Sequence, residues 1–189
     1  LPLMFMVFTS FKGLAEALSS PSLIPKQWTL KNYIDLFQNT SSSPVLLWLR
    51  NTIIVTVCGT LLRLTTSTLA AYALARLDVP FKRTIVIGLI WAMAIPEIVT
   101  IFPMFYMFKT LNLLNNLLPL ILPSGAGAMT VYLIYSFLLD FPKELEEAAF
   151  IDGASVISIL KNVVIPSIKP ILITQGFITF LGLYNTYLW

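Results

Sequence analysis

The chain has 189 residues, 57% of them hydrophobic and only 11% charged, with 12 Lys+Arg against 9 Asp+Glu for a net charge of +3. An average soluble domain is about 45–50% apolar and about 25% charged, so too little polar material is present to coat a water-facing globule. No histidine and one cysteine, Cys58, exclude a disulfide framework, Cys/His metal sites and histidine acid–base chemistry, and no basic run suggests a nucleic-acid surface.

Taken in chain order, residues 1–10 are uncharged and read as the tail of a membrane helix begun earlier. No start Met or basic region precedes them, so they do not read as a signal peptide. The end at Trp189 also falls in an apolar run, so the chain is expected to be a piece of a longer protein, truncated at both ends. Residues 11–50 follow as an external segment. Within it Leu30, Tyr33, Ile34 and Phe37 lie on one helical face behind Thr29 as a cap, predicting a short amphipathic helix at the outer interface. It is read first as a packing helix, with solute contact as the sharper alternative, and residues 40–44 as a polar loop into the next span.

A bilayer core about 30 Å thick needs about 20 apolar residues. Four segments reach that length, at 51–75, 84–108, 117–139 and 170–189, so with the partial first helix five crossings are expected. They must be helical, because lone strands would leave backbone groups unpaired in lipid. The prolines at 96, 103, 119 and 123 are tolerable there, since neighbours in a membrane bundle can satisfy the freed carbonyls. Orientation follows from Arg76, Lys82 and Arg83, crowded between the second and third spans, against Lys109 alone in the next loop. By the positive-inside tendency residues 76–83 and 140–169 are cytoplasmic, and 11–50 and 109–116 external.

Arg63 and Glu97 are the ionisable groups well inside spans. Their offsets put both near the midplane, so they are expected to pair, with contact to a polar solute as the alternative. Asn185, Thr186, Gln175 and Tyr184 bring hydrogen-bonding groups to the last span, read first as glue between helices and second as a solute path. Cys58 is expected to be an inert buried thiol.

The cytoplasmic stretch 142–164 differs from an ordinary membrane loop. Pro142 suits a first helical position, and Glu144, Glu146 and Glu147 favour the positive end of a helix. Leu145, Ala148 and Ala149 supply a small apolar face, and Gly153 fits the left-handed residue that ends a helix. A second helix is predicted from about 154 to 164, closed by Pro166. Two short helices joined by a glycine turn should therefore project below the membrane.

These residues resemble the membrane subunits of binding-protein-dependent ABC importers. That family's cytoplasmic signature is Glu-Ala-Ala, three residues, Gly, nine residues, then Ile-x-Leu-Pro. Here Glu147-Ala148-Ala149, Gly153 and Val163-Val164-Ile165-Pro166 keep the spacing, with Val163 and Ile165 as conservative departures. Asp152-Gly153-Ala154-Ser155, Lys169-Pro170, residues 70–76 and residues 184–189 are similar to the carbohydrate-uptake branch. The resemblance implies an all-α, polytopic transmembrane helix bundle, the type I ABC importer permease fold, in a bacterial-type inner membrane. It implies no catalytic or metal site and no cofactor in this chain, ATP and Mg being bound by partner ABC ATPase subunits. Glu147, Ala148, Ala149, Asp152, Gly153 and Pro166 would form the ATPase-coupling segment. Further partners implied are a second permease subunit, an external solute-binding protein and the lipid bilayer, with no nucleic acid, and the implied solute is a sugar or oligosaccharide. The absence of Gly-x-x-x-x-Gly-Lys-Ser/Thr agrees with energy arriving from another chain. An ion-coupled secondary transporter is the competing function. It would need two related halves, and no internal repeat is evident.

Overall fold

The computed structural model describes residues 2–19, 21–38 and 44–186. The polar loop at 40–43 and the final residues of the last predicted span, 187–189, lie outside the described residues. Among the described residues every regular element is helical, as predicted. The chain divides into two compact units, residues 1–51 and 52–189.

The first unit contains α1 (Pro2–Ser10), α2 (Leu14–Ser19) and α3 (Lys31–Gln38). The predicted cap is present, with Thr29 Oγ1 accepting from the Lys31 N–H at 3.1 Å. The last carbonyls of a helix have no partner within it. Here Asn32 of α3 donates to the Ser10 and Lys12 carbonyls at 2.9 and 2.8 Å, fastening α3 to the end of α1. Ring centroids of Phe11 lie 5.6 Å from Trp28 and 5.5 Å from Tyr33, extending the attachment through aromatic contact. Asn32 and Tyr33 thus pack α3 against the end of α1, while Leu30, Ile34 and Phe37 stay exposed.

The longest helix, α4 (Val45–Arg76), has 32 residues, more than the predicted 51–75. At about 1.5 Å per residue it is about 48 Å long, ample for a hydrocarbon core of about 30 Å. It contains no proline. Its inward stripe is built of small residues, Thr56, Gly59, Thr60, Ser67, Thr68, Ala71 and Ala75, the composition that lets membrane helices approach closely. Cys58 is exposed on this helix, not buried as expected, because it falls beside that stripe.

The predicted span 84–108 is not one helix. It divides into α5 (Lys82–Met93) and α6 (Glu97–Thr110), bent by 99° about residues 94–96. Pro96 causes the break. It has no N–H for the preceding turn, disfavours helix at the residue before it, and itself has ψ 132°, so α6 must start afresh behind it. Pro103, by contrast, sits inside α6, which continues to Thr110. The predicted span 117–139 is likewise composite: α7 (Leu118–Ile121), a 3₁₀ turn at Leu122–Gly125, and α8 (Ala128–Asp140).

After α8 come α9 (Glu144–Ile151), α10 (Val156–Ile159), a π turn at Leu160–Val164, α11 (Ile165–Ser167) and α12 (Lys169–Tyr184). The run from Val156 to Ser167 meets α12 at 77°. Among the described residues two stretches, Val45–Arg76 and Leu118–Asp140, are long and apolar enough to cross a membrane alone; each bent pair adds one more if it forms a single span, giving up to four. At nine residues α1 is too short to cross by itself. The buried core of the second unit lies where α4, α8 and the α10–α12 run converge, around Ala71, Tyr72, Leu74, Val131, Ile134, Leu138, Ile159, Val164 and Ile168.

Candidate functional site

The segment from α9 to α11 rests on that core. Its acidic first turn carries Glu144, Glu146 and Glu147. Successive helical residues are about 100° apart around the axis, so adjacent glutamates face different ways. Glu147 is exposed and Glu146 buried. Glu146 receives the Arg76 guanidinium from the last turn of α4, Nε to Oε1 at 2.6 Å, with the two side chains only 6% and 10% exposed. Arg76 Nη2 also donates to the Phe141 carbonyl at 3.0 Å.

The alanine pair divides in the same way. Ala149 packs against the core while Ala148 is exposed. Beyond them α9 ends in a Schellman turn: the Ala154 N–H bonds the Ala149 carbonyl and the Gly153 N–H bonds the Phe150 carbonyl, both at 3.0 Å. Gly153 has φ 83°, the left-handed value its position predicted. Nothing lies within 4 Å of where its Cβ would stand, so glycine is needed there for backbone conformation and not for space. Asp152 beside it is exposed. Ser155 then caps α10, its hydroxyl accepting from the Ser158 N–H at 3.3 Å.

Pro166 does not close the second helix, as was expected. It stands in the first turn of α11, and the real break comes at Ile168. The π turn at Leu160–Val164 immediately precedes it. A widened turn there accommodates a residue that cannot donate to the turn before, and so the helix passes through the proline. The outward side of the segment is apolar where water would be expected, with Leu145 and Phe150 exposed, Ile151 84% and Ile157 77% exposed.

The intramembrane polar groups are arranged differently from the predicted pairing. Arg63 and Glu97 form no ion pair, although Glu97 is near enough for its charge to act on the guanidinium. Arg63 Nε instead donates to the Ser124 carbonyl at 2.8 Å, and Thr66 Oγ1 to the Gly125 carbonyl at 2.8 Å. Those carbonyls are freed where the span breaks between the 3₁₀ turn and α8, and an unpaired carbonyl in lipid is costly. Gly127 leaves room for the arginine: a Cβ there would stand 3.1 Å from Arg63 Cγ. Glu97 is exposed at the start of α6. Gln175 bonds Thr130 at 3.3 Å, both buried, joining α12 to α8 as helix glue. Asn185 is exposed and donates to its own helix at the Leu181 carbonyl.

Sequence reading singled out Glu147, Ala148, Ala149, Asp152, Gly153 and Pro166, and did not separate Glu146 as the buried anchor. Glu146 precedes the inward Ala149 by three residues, which places it on the same face; that spacing was the available signal. Arg76 had been noted only as an orienting charge. The Ser124 carbonyl carries no side-chain signal, but Pro123 with Gly125 and Gly127 marked the backbone that would need a donor.

A bundle of broken apolar helices, with internal donors serving the breaks and an exposed acidic and apolar segment on a loop, is the architecture of a membrane-embedded helical protein. Residues 64–189 match the family described as binding-protein-dependent transport system inner membrane component, and the chain belongs to that family. It is 32% identical to the diacetylchitobiose uptake system permease of Streptomyces coelicolor, over 99% of this chain and 62% of the relative. It is 35% identical to the sulfoquinovosyl glycerol transport system permease of Agrobacterium fabrum, over 99% of this chain and 66% of the relative. The chain therefore spans about two thirds of the length of these relatives. A solved bacterial ABC transporter, involved in the import of the acidic polysaccharide alginate, shares the fold with a TM-score of 0.83 at 24% identity, covering 100% of this chain and 66% of that one.

Proposed function

We propose that this chain is one permease subunit of an ATP-driven importer, forming half of the translocation pathway. It couples to a separate ATPase through α9 and the Gly153 turn, with Glu147 and Asp152 as polar contacts, Ala148 permitting close approach, and Ala149 and Pro166 shaping the segment from within. The observation that carries this reading is the exposed apolar and acidic surface of the segment, held outward by a Schellman turn whose glycine has open space around it. A membrane-interfacial helix without a partner would favour Lys/Arg towards anionic lipid, whereas the first turn of α9 is acidic. The remaining partners are a second permease subunit, identical or different, and an external solute-binding protein, in a bacterial inner membrane. ATP binding to the partner must favour one of two conformations of the assembly for any work to be done.

A sugar, oligosaccharide or glycoside is the proposed solute. The support is the naming of the relatives above for such compounds, together with a trehalose/maltose transport permease of Thermococcus litoralis at 30% identity over 99% of this chain and 67% of the relative. Within the membrane, Glu97 and Asn185 are exposed and stand as candidate pathway groups, while Arg63 serves the Ser124 carbonyl. Co-purification from native membranes tests the coupling role. An ATPase and a second permease should accompany the chain, and Glu147→Ala together with Gly153→Val should release the ATPase. Full ATP-driven uptake by that double variant would overturn the reading.

A further inference from the structure

A single polar joint ties the docking segment to the membrane bundle. Arg76 at the end of α4 donates from Nε to Glu146 of α9 at 2.6 Å and from Nη2 to the carbonyl of Phe141, the residue that ends α8, at 3.0 Å. Three elements therefore meet on one guanidinium. Buried ion pairs add little to stability, because desolvation offsets their attraction. This one also leaves Arg76 Nη1 buried without a partner, a further penalty. What a short, charge-assisted bond between planar groups does supply is fixed geometry.

The helices leading away from the joint differ in stiffness. The chain's own continuation from α9 passes through the Gly153 turn, a π turn and a 77° bend before α12. By contrast α4 is unbroken and free of proline from Arg76 back to Arg63, where it holds the Ser124 carbonyl. A displacement of α9 is thus absorbed along the downstream covalent route, while the salt bridge passes it to the unbroken α4.

We propose that the Arg76–Glu146 pair is the joint through which movement of α9 reaches α4, and from there the broken span at Ser124, with Arg76 and Glu146 acting as positioning residues. The inference rests on the docking role given to α9 above. Because Leu77 and Glu144 are exposed and flank the joint, spin labels at Leu77→Cys and Glu144→Cys, in a Cys58→Ser background, read it directly. The labelled chain is placed in nanodiscs with its partner subunits, and the distance is measured without nucleotide and with ATP and vanadate. One narrow distance, the same in both states, is expected of the parent. With one partner neutralised, Arg76→Gln and Glu146→Gln should each broaden the distribution about twofold, and Arg76→Lys should broaden it less than Arg76→Gln. A parent distance that changes with nucleotide, single variants as narrow as the parent, or Lys no better than Gln would each overturn the joint. Glu146→Gln is nearly isosteric and keeps the test available if Arg76→Gln fails to accumulate. Failure of an ATPase to co-purify would remove the coupling role of α9, while the contrast between parent and variants would still report the joint itself.

Discussion

Arg63 donates from Nε to the carbonyl of Ser124 across 2.8 Å, and so a charged residue in the middle of a membrane helix serves as the hydrogen-bond donor for a neighbouring broken span. With Thr66 on Gly125, α4 replaces two helical bonds that the 3₁₀ turn and the Gly127 break remove. Arg63→Leu should therefore destabilise the subunit by about 1–3 kcal/mol, since it leaves a buried acceptor unmade. Arg63→Gln should lose less, because its amide keeps a donor. Thermal unfolding of the detergent-solubilised chain, followed by tryptophan fluorescence, measures both. Equal melting temperatures for the parent and Arg63→Leu would refute the structural role of this bond.

Close packing around the same break depends on Gly59. A Cβ at that position would stand 2.7 Å from Leu183 Cδ1 and 2.9 Å from Ser124 Oγ, the hydroxyl that donates to the Gly59 carbonyl at 3.1 Å. Gly59→Ala should cost about 1–3 kcal/mol through overpacking. Gly88 of α5 has nothing within 4 Å, so there the same substitution should gain up to about 1 kcal/mol from helix propensity. Opposite shifts in melting temperature for the two variants of the isolated subunit are expected.

The contrast between these sites indicates what the sequence could convey. Hydropathy reports how long an apolar stretch is: among the described residues two of the four predicted stretches hold helices long and apolar enough to cross alone, and the other two fall on bent pairs. Hydropathy does not report whether the helix inside is continuous. Pro96 ends one helix and starts another, whereas Pro103 is carried within α6 and Pro166 within α11. The difference depends on neighbouring groups and turn widening that no local pattern contains. Gly153 was legible because its conformation is set locally, by the turn it closes. The Arg63–Glu97 expectation failed for a related reason: offsets along two spans ignore the backbone of a third, and the Ser124 carbonyl takes the guanidinium instead. Glu146 and Glu147 are chemically identical, and only the direction of the core separates the anchor from the exposed group.

Gln175 and Thr130 test how much a buried hydrogen bond between membrane helices contributes here. Their side chains meet at 3.3 Å between α12 and α8. Such bonds average about 0.6 kcal/mol, with about 1.7 as an upper value, because unfolded helices in lipid find other partners. A double-mutant cycle with Gln175→Leu and Thr130→Val should return a coupling energy in that range. A coupling indistinguishable from zero would assign the two residues to packing alone.

Substitution at Gly153 separates the folding of α9 from the docking role proposed for it. At φ 83° an L side chain costs about 1–2 kcal/mol from its own backbone, with no clash to add since the surrounding space is open. Gly153→Ala should accordingly fray the end of α9 without unfolding the bundle. Hydrogen exchange should speed up at the Gly153 and Ala154 amides, which the Schellman turn protects in the parent, while amides of α4 and α8 exchange as before. Gly153→Asn should fall between parent and Ala, since asparagine tolerates the left-handed region better than other residues with a Cβ. Glu147→Ala, whose side chain is exposed, should leave all of these exchange rates unchanged and still weaken ATPase retention. If Gly153→Ala exchanged as slowly as the parent, the turn would not depend on glycine, and its part in presenting α9 would have to be abandoned.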